Sequence, residues 1–288
     1  MRCARRLLSH RPTLCAPGDL ASARLIIDVG TSDSFNRAHI PGALRSPLRG
    51  DLKDPHHPTR ALPASAMGAL FDALAVPSSN DGGDIIVYDT GEALAACRLA
   101  WLFSYYGLPN VRILNGGFAA FLASGGAARS AFSAPPTAAA PQPPSPPRVP
   151  FPQRALLAGT AEVLAASRGG GGALVPQIID ARTPAEFSGA DARGLPRLGH
   201  IPGAINVPFQ ALLQRGAFLP AAELRAALEA RGVDLERPTI VMCLAGVRAA
   251  VAAVGVAAAG GSGSVAVYEG SAQEWAEDPA LPLVQGEL

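Results

Sequence analysis

Short apolar runs rich in β-branched residues alternate along the chain with longer Ala- and Leu-rich segments. Leu25–Val29, Ile85–Tyr88 and Val111–Leu114 read as buried strands of a first half. Ile178–Asp180, Ile240–Met242 and Val265–Tyr268 read the same way in a second half. Near-continuous apolar strands separated by helical segments predict an α/β fold in which each half is a parallel sheet with helices on both faces.

The pattern also repeats on a larger scale. Leu25-Ile-Ile-Asp28-Val-Gly leads to Ala38-His39-Ile-Pro41-Gly42-Ala-Leu, and Gln177-Ile-Ile-Asp180-Ala-Arg182 leads to Gly199-His200-Ile-Pro202-Gly203-Ala-Ile. In the same order, Asp84-Ile-Ile-Val-Tyr88-Asp89 followed by Val111-Arg-Ile-Leu-Asn115-Gly-Gly is matched by Thr239-Ile-Val-Met-Cys243 followed by Val265-Ala-Val-Tyr268-Glu269-Gly270-Ser271. Two blocks recurring in one order make the chain two copies of one module. The expected organisation is a basic tail over residues 1–17, a first domain over 18–128, a linker over 129–155 and a second domain over 156–288. The linker prediction rests on the proline-dense stretch Ser133–Pro150, because proline fixes φ and removes amide donors. Gly169–Gly172 reads as a loop, since no phosphate-binding pattern surrounds it.

Composition narrows the possibilities. With 288 residues, 49% of them apolar, the chain can bury two small cores. A formal charge of +1 gives no reason to invoke nucleic acid. No segment reads as a membrane span; the best candidate, Ala249–Gly260, is too short. The four cysteines, Cys3, Cys15, Cys97 and Cys243, show no CxxC or metal-ligand spacing, which fits a reducing compartment. Cys97 reads as a small apolar filler in a helix. The opening segment Met1–Arg11 holds four arginines and no acid, and resembles a mitochondrial transit peptide. That predicts a mitochondrial location, with a plain basic tail and a cytoplasmic location as the alternative.

The candidate chemistry lies in Cys243-Leu244-Ala245-Gly246-Val247-Arg248. A thiol at the end of a predicted strand and over the start of a predicted helix meets converging backbone N–H groups and the helix dipole. Both favour the thiolate, which is the nucleophilic form. Gly246 suits a tight loop, and Arg248 adds a fixed cation for an anionic substrate. Aligning the repeats sets Asp89 opposite Cys243, so only the second half carries a nucleophile. His39 and His200 occupy equivalent places in both halves, which points to a structural role at the His-Ile-Pro-Gly-Ala turn. Asp28 and Asp180 read as acceptors for backbone amides at strand ends.

Together the repeated His-Ile-Pro-Gly-Ala blocks, the Cys-x-x-Gly-Val loop and the Tyr268-Glu-Gly-Ser-x-x-x-Trp275 run resemble the tandem-domain rhodanese family of thiosulfate and 3-mercaptopyruvate sulfurtransferases. The resemblance covers the chain from about Leu20 to Leu283. It implies two rhodanese-like domains, the first an inert scaffold and the second catalytic. It implies a Cys243 persulfide formed from a small anionic sulfur donor and passed to cyanide or a cellular thiol such as thioredoxin or glutathione. No metal or organic cofactor is implied, and no nucleic-acid or membrane partner. The amides of Leu244, Ala245, Gly246, Val247, Arg248 and Ala249 would hold the persulfide.

The chain departs from the family at three places. Leu244-Ala245 carries neither the Arg-Lys nor the Gly-Ser of typical members. Arg248 stands where tandem members commonly have Thr or Ser, and resembles single-domain rhodaneses in this. Glu186-Phe187 stands where many have an arginine before the aromatic residue. Arg182, Arg193 and Arg197 are the candidates to replace that arginine, and Arg197, three residues before His200, is the expected substrate grip. Two rivals remain. A phosphatase of this general fold would need Cys-x5-Arg, one residue more than lies between Cys243 and Arg248. A catalytically silent regulatory or sulfur-sensing module is favoured if Cys243 is buried or resists alkylation.

Overall fold

The computed structural model describes residues 11–47, 52–54, 57–76, 83–91, 93–130, 150–169 and 174–286. The acid-free start up to His10, most of the proline-rich linker, His56 and Gly170–Gly172 lie outside the described residues.

The chain divides into two compact units. In the first, β1 (Thr13–Cys15), β2 (Ala23–Asp28), β3 (Leu44–Arg45), β4 (Asp84–Tyr88) and β5 (Val111–Leu114) form one sheet in the order β1-β5-β4-β2-β3. In the second, β6 (Leu157–Ala158), β7 (Gln177–Asp180), β8 (Ala204–Asn206), β9 (Thr239–Met242) and β10 (Val265–Tyr268) run in the order β8-β7-β9-β10-β6. All ladders in both sheets are parallel. Read from opposite edges, the two orders are the same, so the sequence repeat is a repeat of topology. Each sheet is apolar through its middle, with Ile27, Ile86 and Val87 fully buried in one and Ile179, Val241 and Val267 in the other. Such strands need cover on both faces, and flanking helices supply it.

The first domain begins earlier than expected. Thr13–Cys15, placed by sequence in a tail ending at residue 17, pairs in register with Arg112–Leu114 as an edge strand. It is the counterpart of β6. Three residues carry too short a pattern to stand out, and the pairing arises from the sheet edge that β5 offers. At the other boundary, Arg129 exchanges backbone hydrogen bonds with His39, so the first residue assigned to the linker is tied into the first unit. The second unit also takes in Lys53–Ala61.

In the second unit, α1 (Val247–Ala258) follows β9 and is built almost wholly of Ala, Val and Gly. Small residues let it lie close to the sheet. A Cβ on Gly255 would come within 2.8 Å of Leu212 Cδ1. α2 (Ser271–Glu277) follows β10. Among the described residues no helix is long and apolar enough to cross a membrane.

Candidate active site

The carboxyl ends of parallel strands are where open α/β sheets build their sites. β9 ends at Met242, Cys243 follows, and the chain turns through Leu244–Gly246 into α1. The turn requires positive φ at Gly246 (+79°), which a glycine adopts without steric cost. A Cβ there would stand 3.2 Å from both the carbonyl oxygen and Oε1 of Glu269, so the loop is also closely packed.

The loop hangs on the start of α2. Ser271 Oγ accepts the N–H of Cys243 and that of Gly246, each at 3.1 Å, and donates to the Tyr268 carbonyl at 2.7 Å. The Cys243 and Leu244 carbonyls accept from the amides of Ala272 and Gln273 at 3.0 Å. Ser271 is thereby the brace of the loop.

This changes the expected persulfide cradle. The Gly246 amide is spent on Ser271 rather than offered to sulfur. The Leu244 side chain packs on the core of the second unit. Leu244 and Ala245 amides donate to no protein acceptor among the described residues, and Val247 and Arg248 open α1, where first-turn amides lack intrahelical partners. Of these amides of the expected cradle, that of Gly246 alone is already spent within the protein. Cys243 itself is 1% exposed.

Arg248 reaches away from solvent to Glu186, with Nη1–Oε2 at 2.6 Å and Nη2–Oε1 at 2.8 Å. Glu186 is pinned from its other side: Oε2 also accepts the Thr183 amide at 3.1 Å and the Thr183 hydroxyl at 2.9 Å, in a capping box. Burial alone would raise this carboxyl. The hydrogen bonds from Arg248 and Thr183 outweigh burial and hold it at about 2. Burial likewise pulls the Arg248 guanidinium down, yet Glu186 and the attraction of Cys243 leave it above its ordinary value.

Arg197, the expected substrate grip, is spent on backbone carbonyls instead. Its guanidinium donates to the carbonyls of Ala276 at 3.0 Å, Leu281 at 2.8 Å and Trp275 at 2.8 Å, and to that of Asp278. It closes the C-terminal end of α2, where helix carbonyls lack amide partners. Arg182 is equally committed, through paired bonds to Asp180 and one of 2.9 Å to the Gly199 carbonyl. Arg193 is exposed, its Nε 3.8 Å from Glu186 Oε1.

The repeated residues behave alike in both units. His39 Nδ1 lies 2.8 Å from the Phe35 carbonyl and His200 Nδ1 2.9 Å from that of Phe187, each ring stacked on the same phenylalanine. Burial holds the His200 imidazole below its ordinary value. Asp28 accepts from the Gly30 amide and Asp180 from that of Arg182. In the first unit Asp89 stands at the position equivalent to Cys243, its carboxylate accepting the amides of Gly91 at 3.2 Å and Ala96 at 3.1 Å. Burial pushes the Cys15 thiol up to about 12 and that of Cys97 well above its usual range, and neither lies in the loop between β9 and α1.

A cleft of about 450 Å³ lies at the other end of the second sheet, beside Thr239, Ile240 and Ser264. It includes none of the residues around Cys243. Among the described residues no group of three or more His, Cys, Asp or Glu side chains converges as metal ligands.

Comparison with known proteins agrees with this architecture. Residues 17–124 and 160–278 each match the rhodanese-like domain. The chain is 31% identical over 267 residues to 3-mercaptopyruvate sulfurtransferase of Escherichia coli K12, covering 89% of this chain and 86% of that protein. It is 33% identical over 281 residues to thiosulfate sulfurtransferase of Corynebacterium glutamicum, covering 93% and 87%. The crystal structure of SseA from Escherichia coli superposes with a TM-score of 0.69 at 29% identity, covering 90% of this chain and 98% of that one.

Proposed function

The chain belongs to the rhodanese family, with two rhodanese-like domains in tandem, and from that premise we propose that it is a sulfurtransferase working through a persulfide on Cys243. The observation that carries the reading is the placement of Cys243 between the end of β9 and the start of α1, in a loop braced by Ser271. Similarity to relatives named for thiosulfate and for 3-mercaptopyruvate supports the activity and suggests those two donors.

The transfer has two steps. With thiosulfate, the Cys243 thiolate attacks the outer sulfur, an S–S bond forms as the donor S–S bond breaks, and sulfite leaves with the electron pair. With 3-mercaptopyruvate, the C–S bond breaks instead and pyruvate leaves as its enolate, which takes up a proton. A thiophilic acceptor, cyanide or a cellular thiol such as thioredoxin or glutathione, then attacks the outer sulfur and releases the thiolate. The open amides of the loop stabilise the charge on the persulfide. The basic start of the chain supports a mitochondrial setting.

Cyanide-dependent thiocyanate formation, with aryl phosphate hydrolysis run in parallel, tests this reading. Thiocyanate release lost in Cys243→Ser, without phosphatase turnover, is the expected result. One second reading has an observation in its favour. Cys243 is almost fully buried and Arg248 is engaged by Glu186, as a silent regulatory module would allow. A folded protein whose Cys243 resists alkylation and yields no thiocyanate would favour it.

A further inference from the structure

In this site the family's arginine is replaced by Glu186, and the replacement is tied to the cation at the far end of the loop. Glu186 presents both carboxylate oxygens to both terminal nitrogens of Arg248, the paired geometry in which a guanidinium and a carboxylate hold each other most firmly. The carboxylate is also fixed on its own helix by the amide and hydroxyl of Thr183. Being 3% exposed, it has little room to swing aside when a donor arrives. Neither Arg182 nor Arg197 can stand in, since both guanidiniums are committed to other acceptors. Arg193, at the rim, is itself drawn toward Glu186. On the opposite side of the loop the buried Glu269 carboxylate packs against Gly246.

Resting on the sulfurtransferase reading, we propose that Glu186 is the residue that sets the donor class: by occupying Arg248 it disfavours the dianion thiosulfate and leaves the site matched to sulfur donors of single negative charge. The distinction is electrostatic. A second negative charge brought beside a fixed, desolvated carboxylate meets a repulsion that bulk water would screen. A monoanion meets less of it and asks less of Arg248. Glu186 acts through Arg248 and on the field at Cys243; it takes no part in bond making.

The test is the ratio of kcat/KM for thiosulfate to kcat/KM for 3-mercaptopyruvate in the full chain, measured for the wild type and for Glu186→Gln. Glutamine keeps a carbonyl oxygen for Thr183 but removes the charge. The expected result is a wild type that prefers 3-mercaptopyruvate, and a ratio that rises on the order of tenfold in E186Q, mainly through a lower KM for thiosulfate. A purely structural lesion would slow both donors together. An unchanged ratio, or a wild type that prefers thiosulfate, overturns the proposal while leaving the sulfurtransferase reading intact. If neither donor loads Cys243 in either protein, the reading and the proposal fall together. Should E186Q misfold, Arg248→Lys serves instead: it breaks the paired contact yet keeps the charge, and the ratio must still move.

Discussion

One oxygen joins the two ends of the active loop: Ser271 Oγ stands 3.1 Å from the amide nitrogen of Cys243, and at the same distance from that of Gly246. The brace comes from a residue 28 positions further along the chain. Ser271→Ala would leave two buried amides without an acceptor. That is expected to cost about 1–3 kcal/mol and to slow sulfur loading of Cys243 on the order of tenfold. Urea unfolding and single-turnover loading measure the two effects. A variant that loads at the wild-type rate would mean the loop holds its shape without the brace.

The Glu186 carboxyl, held at about 2 against an ordinary 4.5, links folding to acid. Because the folded state lowers this group's affinity for protons, its contribution to stability is complete above the unfolded value. It is lost as pH falls from about 4.5 toward 2. Allowing for the partial exposure of Arg248, the loss is on the order of 2 kcal/mol. Denaturation midpoints followed across that window are expected to fall more steeply in the wild type than in E186Q. Parallel curves would show that the ion pair contributes nothing to folding.

At Gly246 the backbone is left-handed and a Cβ would press on Glu269 at 3.2 Å. Gly246→Ala is therefore expected to lose about 1–2 kcal/mol and to displace the loop that carries Cys243. Activity should fall further than the stability loss alone explains. Thermal unfolding together with thiocyanate release separates these, and a fully active variant would contradict the tight-loop geometry.

Arg197 ties four carbonyls near the end of α2. Arg197→Met is expected to destabilise the protein by about 2–4 kcal/mol while leaving the KM for either donor within about twofold of the wild type. A large rise in KM in a stable variant would restore Arg197 to the substrate.

What was legible in the sequence follows from the physics of each feature. Apolar β-branched runs such as Ile178–Asp180 and Thr239–Met242 announce buried parallel strands because they are too short for a core helix and favour the extended backbone. The repeat exposed the topology of both units, and the strand-end position singled out Cys243 as the candidate nucleophile. β1 escaped because three residues at a sheet edge carry no period. Arg197 was misjudged because proximity to His200 along the chain says nothing about direction, and the open carbonyls of α2 lie about 80 residues away. Glu186 was seen only as a departure from the family. Its sign was the usable signal: a carboxylate replacing an arginine while a new arginine appears at position 248 points to a paired exchange. Ser271 could not be placed by pattern, since its partners are backbone amides.

The sulfurtransferase reading requires Cys243 to carry the transferred sulfur. Intact mass of the purified protein after thiosulfate, and separately after 3-mercaptopyruvate, measures it directly, with Cys243→Ser alongside. The expected result is a gain of one sulfur atom in the wild type, absent from the variant and removed by cyanide, with the faster loading from 3-mercaptopyruvate. A folded protein that gains no sulfur from either donor, or a gain that persists in Cys243→Ser, would contradict it.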